Sequence, residues 1–131
     1  MPTPDEIRAV VDEYVAASNR NDKAAVLELF APDAVWHDPV GQPPHVGREE
    51  IAAFFDQART LADQIEMVPC DAPDHLIVCG NEAVLRFEVH ATIGESTMVM
   101  DVIEVFEVDA DAHIASARAY WDMSRARARG E

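Results

Sequence analysis

The stretch "MVMDVIEVFEV", Met98 to Val108, alternates apolar and polar positions so regularly that a β-strand is its natural form. Period two puts Met98, Met100, Val102, Glu104, Phe106 and Val108 on one face and Val99, Asp101, Ile103, Val105 and Glu107 on the other. A strand of this length with one apolar face requires a second layer to cover that face. Glu104 is the only polar residue on it. A carboxyl group there has to be hydrogen-bonded or neutral, because a lone buried charge is very costly. Desolvation raises the pKa of such a group, so that it keeps its proton and can donate a hydrogen bond. The alternative is a bulge that returns Glu104 to water.

The neighbouring sequence supplies both a sheet and its cover. Strand patterns occupy residues 64–70, 75–79, 82–93, 97–109 and 112–123, with turns at "DAPD", "CGNE", "IGES" and "VDADA". Helices come first. Thr3 caps one, Pro4 suits its first position, and Glu6 completes a Thr-x-x-Glu capping box. Ile7, Val10, Val11, Tyr14 and Val15 then form its buried stripe. "NRND" ends that helix, Asp22 caps a second over Lys23–Phe30, and Pro32 stops it. A third helix fits Arg48 to about Leu61, with Ile51, Phe54, Phe55 and Ala58 inward. Helices followed by long antiparallel strands give an α+β fold. At 131 residues the chain reads as one domain over 1–124, with "SRARARGE" leaving a frayed tail from 125.

Charge narrows the function. The 25 acidic residues against 10 basic ones leave a net of −15, which argues against nucleic acid and anionic membrane surfaces and favours a neutral ligand. No run is long enough for a membrane span, and the N-terminus lacks a basic patch followed by an apolar stretch, so the expected location is cytoplasmic. Cys70 and Cys79 lack metal or redox spacing and read as small buried hydrophobes.

Three further residues carry chemical interest. In "AVWHDPVG" the strand-forming Val35 and Trp36 lead to Asp38, which Pro39 holds in an extended conformation; Asp there is either a turn-former or a positioned carboxylate. Tyr14 sits in the buried stripe of the first helix, where its hydroxyl needs a partner. Trp121 shares a strand face with Ala115, Ala117, Ala119 and Met123, as simple packing or as a pocket wall. His37 alternates with Asp38 and His45 lies in a Pro-rich loop, so His37, Asp38 and His45 match no compact metal motif. No metal is expected.

Tyr14, Asp38 and Glu104, with "AVVDEYVAASNRND", "LFAPDAVWHDPVG", "NEAVLRF", "DVIEVFEV" and "SARAYW", resemble the bacterial Δ5-3-ketosteroid isomerases. These belong to the NTF2-like superfamily, which also includes SnoaL-type polyketide cyclases. The resemblance covers nearly the whole chain. It implies a cone-shaped fold, with a curved, mostly antiparallel sheet wrapped on three N-terminal helices around an apolar pocket. It also implies a homodimer, for which Val99, Ile103 and Val105 on the outer face offer an interface. By the same resemblance Asp38, at the pocket mouth, is a general base that moves a proton along a β,γ-unsaturated ketone, and Tyr14 and Glu104 are oxyanion donors. A pocket lined by Val11, Phe54, Phe55, Phe87, Met100 and Trp121 suits a small, neutral, hydrophobic, steroid-like enone, and no cofactor is required. Two positions depart from the family pattern: Glu104 stands where the family has Asp, and Phe55 where it has a Tyr that supports the oxyanion Tyr. The rival readings are a SnoaL-type polyketide cyclase or a dehydratase, and a non-catalytic domain binding steroids or other small hydrophobic ligands.

Overall fold

Local sequence sets the helices. In α1 (Pro4–Asn19) the Thr3 hydroxyl accepts from the Glu6 amide at 3.1 Å and the Glu6 carboxylate accepts from the Thr3 amide at 2.9 Å, completing the capping box. Ile7, Val10, Val11 and Tyr14 are buried along it. Asp22 caps α2 (Lys23–Leu29) through the Ala25 amide, and α3 (Gly47–Arg59) buries Ile51 and Phe55. This computed structural model describes residues 1–70 and 74–129, so the expected "DAPD" turn lies largely outside the described residues. None of its helices is long and apolar enough to cross a membrane.

The strands are β1 (Phe30–His37), β2 (His45–Val46), β3 (Gln64–Pro69), β4 (Leu76–Cys79), β5 (Glu82–Ile93), β6 (Ser96–Val108), β7 (Ile114–Tyr120) and β8 (Arg127–Ala128). They form one sheet in the order β2-β1-β7-β6-β5-β3, with β4 added to β5 and β8 to β6. Every pairing is antiparallel except β1 with β7, which run parallel. Three helices against a mostly antiparallel curved sheet give the expected α+β fold. The core lies between them and includes Ile7, Val26, Phe30, Ile51, Leu85, Phe106 and Ile114.

Several boundaries differ from the sequence expectation, each for a tertiary reason. Pro32 lies inside β1 because the β1–β7 register shifts between Phe30 and Val35, and the missing amide falls in that gap. In β7, Val108 pairs with Ile114 while Glu107 pairs with Ser116, so Ala115 is bulged. The bulge changes the parity of the strand and buries Ile114 instead. The expected tail from 125 is structured as far as 129. β7 reaches only Ile103 on β6, and β8 fills the open edge beyond, opposite Met98 and Val99. Val99 is accordingly buried within its own chain, 4% exposed, and is not free to face a partner. Cys79 ends β4 beside the Gly80 turn and is exposed, and Cys70 is only partly covered, so neither is the buried hydrophobe expected.

Two side chains fasten the helices to the sheet. Arg48, in the first turn of α3, donates from Nε and Nη2 to the Phe30 carbonyl at 2.9 and 2.6 Å. Asn19, at the end of α1, accepts from the Met67 amide at 2.7 Å and donates to the Met67 carbonyl at 2.9 Å. Each satisfies backbone groups that would otherwise be left open, Arg48 at the α2–β1 junction and Asn19 on the outer edge of β3. Replacing Asn19 by Ala is expected to lower unfolding free energy by roughly 1–3 kcal/mol in urea titrations, the range for leaving such groups unpaired. An unchanged midpoint would show that this tie contributes nothing.

Candidate active site

Between the helices and the inner sheet face lies a cavity of about 370 Å³, within the range of small-molecule sites. Its wall is mainly apolar: Phe54, Phe55, Phe87, Met100, Val102 and Trp121 all line it. Leu61 and Met123 also line it while 70% and 65% exposed, and so mark its opening. Tyr14, Ser18, Asp38, Arg59 and Glu104 are its polar side chains. A shallower groove of about 600 Å³ crosses Arg86, Asp101, Ile103 and Tyr120 on the outer side, away from Tyr14 and Glu104. Of the pocket residues expected from sequence, only Val11 is misplaced: it is packed in the core, 1% exposed, and does not reach the cavity wall.

Glu104 comes from the middle of β6, facing inward, with Leu85 and Ala119 as its register neighbours. It is 1% exposed. Trp36, buried on β1, donates its indole N–H to Glu104 Oε2 at 3.1 Å. Burial pushes the Glu104 carboxyl up to about 8, and the nearby Asp38 charge adds to this. Hydrogen bonds from Trp36 and Tyr14 hold it back in part. Glu104 is therefore mainly a neutral acid at pH 7. Since Oε2 accepts from Trp36, its proton belongs on Oε1.

Tyr14 is fixed by edge contacts to Phe30, Trp36 and Phe106, with ring centroids 6.1, 6.5 and 5.1 Å away. Burial first, then the Glu104 and Asp38 charges, raise its phenol well above the ordinary value; Arg59 pulls the other way. The hydroxyl stays protonated and is a donor.

Asp38 follows the last residue of β1, and its peptide bond to Pro39 is cis. Trp121 donates to Asp38 Oδ1 at 2.6 Å. Burial raises the Asp38 pKa, against the pull of the Trp121 hydrogen bond and of His45. His45 itself stacks on Phe54, centroids 4.1 Å apart. Asp38 is half-buried and lines the cavity.

Trp36 and Arg59 are among the wall residues that the sequence reading did not single out for the site. Trp36 lies two positions before Asp38, so strand alternation already put both on one side. Arg59 follows Phe55 by four on α3, so helical spacing put both on one face. His37 does not line the cavity. The single cluster of three metal-type donors among the described residues is Asp109, Asp111 and His113, in the β6–β7 turn outside it. There Asp109 Oδ1 already accepts from the amides of Asp111 and His113.

One cavity thus holds a half-buried carboxylate and two buried neutral donors, a set able to remove a proton next to a carbonyl while its oxygen is held. The model of the SnoaL-like domain matches residues 11–117. A curated steroid Delta-isomerase of Nocardioides simplex is 34% identical over 116 residues, 88% of this chain and 89% of that protein. The epoxide hydrolase LasB of Streptomyces lasalocidi is 34% identical over 134 residues, 95% of this chain but 44% of that protein. Among solved structures, the epoxide hydrolase/cyclase-like enzyme SalBIII, with a role in pyran ring formation in polyether salinomycin, superposes with a TM-score of 0.81 at 23% identity, covering 96% of this chain and 98% of its own. RV0760c from Mycobacterium tuberculosis gives 0.83 at 18% identity, covering 98% and 99%. The last two likenesses show a shared fold.

Glu104 links site and stability. The native carboxyl holds its proton to about pH 8, whereas the unfolded one releases it near 4.5. Between those values the native state binds more protons, so the Glu104 contribution to stability falls as pH rises and levels off above 8. Glu104→Gln keeps the shape without the titration. Its melting temperature is expected to gain on the wild type steadily from pH 5 to 8; a constant difference would mean that Glu104 titrates normally.

Proposed function

The chain belongs to the SnoaL-like domain family of the NTF2-like superfamily, and on that premise we propose that it is a cofactor-independent isomerase. It shifts the double bond of a Δ5-3-ketosteroid, or a similar β,γ-unsaturated ketone, into conjugation. The observation that carries this reading is the pair of carboxyl groups in one cavity whose surroundings favour different protonation states. Asp38 is half-buried and held by an indole, while Glu104 is sealed from water and pushed to about 8. The likeness to the Nocardioides simplex enzyme supports it.

The steps of this proposal assign a role to Asp38, Tyr14 and Glu104. Trp121 occupies Asp38 Oδ1, leaving Oδ2 for the substrate. Oδ2 takes a proton from the carbon between the ketone and the alkene. The electron pair of that C–H bond becomes the new C=C of a dienolate, and the carbonyl π electrons move to oxygen. Tyr14 and Glu104 donate to this oxygen as its charge grows, which is where preorganised donors act. The proton on Oδ2 then returns to the far carbon of the dienolate, two positions along, and the carbonyl re-forms in conjugation. No redox step occurs.

A second reading rests on the same donors. Tyr14 and neutral Glu104 also suit the oxygen of an epoxide, with Asp38 activating water or an alcohol, and the similarity to LasB favours that class. The two readings need different substrates.

The deciding assay follows conversion of 5-androstene-3,17-dione to the 4-ene by ultraviolet absorbance. Asp38→Asn is expected to lower kcat by about 10²–10⁴, the range for a general base. Removing a donor through Glu104→Ala is expected to cost about 10²–10³. In the wild type, kcat/KM rises as Asp38 ionises, at a pH above the ordinary carboxylate value, and falls above about 8 as Glu104 loses its proton. Glu104→Gln, which cannot titrate, is expected to lose the basic limb. Turnover of a hydroxy-epoxide but not of the enone would move the assignment to the second reading.

A further inference from the structure

Arg59 is the only Lys or Arg lining the cavity among the described residues. Its guanidinium carbon lies 3.6 Å from the centre of the Phe55 ring, itself part of the wall. Nε donates to Asn21 Oδ1 at 3.0 Å and Nη2 to the Ser18 carbonyl at 3.2 Å. All three partners are neutral. No ion pair among the described residues includes Arg59, and Asp56, on the preceding turn, is taken by Lys23 at 3.0 Å. Arg48 is likewise half-buried and outside any ion pair among the described residues, but its fork is spent on the Phe30 carbonyl and it does not line the cavity, whereas Arg59 does.

The fixed contacts use two of the five guanidinium N–H groups, and both on Nη1 are free of any protein acceptor among the described residues. The two hydrogen bonds and the ring contact set the orientation of the fork, which reduces the entropy lost when it binds a planar anion. Arg59 stands two residues before Leu61, which is exposed at the opening, and its charge acts on Tyr14 but is not among the influences on Glu104 or Asp38.

We propose that Arg59 is a carboxylate subsite: the ligand carries an acidic group at the end opposite its reacting ketone, and Arg59 binds it at the cavity opening. This rests on the isomerase reading for the orientation of the ligand. The net charge of −15 does not oppose it, because repulsion beyond about 8 Å is largely screened at physiological salt. Between apolar walls, a direct contact is screened far less.

The test uses two unreactive conjugated enones, 3-oxoandrost-4-ene-17β-carboxylic acid and its methyl ester. Their binding is followed by quenching of Trp36 and Trp121, both on the cavity wall. The wild type is expected to bind the acid about 10–100-fold tighter than the ester, as charge-assisted hydrogen bonds allow. Arg59→Met is expected to abolish that preference while changing ester binding less than about threefold, since the methionine keeps the apolar stem. Arg59→Lys, retaining the charge, is expected to keep part of it. Equal binding of acid and ester by the wild type overturns the subsite and leaves the steroid-like reading standing. Equal loss for both ligands in Arg59→Met also overturns it, because Arg59 would then act only through Tyr14 or through its tie to α1. Failure of both ligands to bind the wild type removes the steroid-like reading and the subsite together. The wild-type comparison is decisive even where a variant folds poorly.

Discussion

The hydrogen bond from Trp36 to Glu104 is where the packing of the protein and its chemistry depend on the same atoms. A carboxyl 1% exposed on an otherwise apolar strand face needs a polar partner, and the indole provides one without bringing in water or a counter-charge. Had the partner been a cation, the carboxyl would be ionised and unable to donate. A neutral donor leaves the proton in place. Trp36 is itself fixed by Phe30 and Phe54, at 5.6 and 5.1 Å between centroids, so the orientation of the acid comes ultimately from close aromatic packing.

The same logic runs through the rest of the cavity. Ala119 stands opposite Glu104 on β7, and its small side chain leaves room for an acid one methylene longer than aspartate. Each carboxyl has one oxygen held by an indole, yet their burial differs. One is closed off and neutral; the other is partly wetted and closer to ionising. A wall of aromatic and aliphatic side chains sharpens that contrast, because electrostatic effects grow as water is excluded.

Much of this was legible in the sequence where it depended on local rules. The capping box, the helical stripe bearing Tyr14 and the alternation that points Glu104 inward are properties of short windows. What could not be read depended on pairings between distant segments. The bulge at Ala115, the capture of β8 by the uncovered half of β6 and the shift that admits Pro32 to β1 are set by neighbouring strands. Trp36 and Arg59 belong between these cases. Their spacing to Asp38 and Phe55 was visible, but a tryptophan on a core strand and an arginine at a helix end have ordinary roles that pattern alone cannot separate from a place in a cavity wall.

The parallel pairing of β1 with β7 has a consequence for how the protein becomes active as it is made. Parallel strands finish on the same side of a sheet, so the residues just beyond them, Asp38 and Trp121, emerge side by side although they are 83 positions apart in the chain. The Val40 amide reaches the Ala119 carbonyl across the same junction at 2.9 Å. Asp38 therefore leaves the ribosome long before the indole that restrains it, and no helix or hairpin formed earlier can substitute. The carboxylate is held only after the seventh strand has docked, so the reactive centre is completed late in the assembly of the sheet.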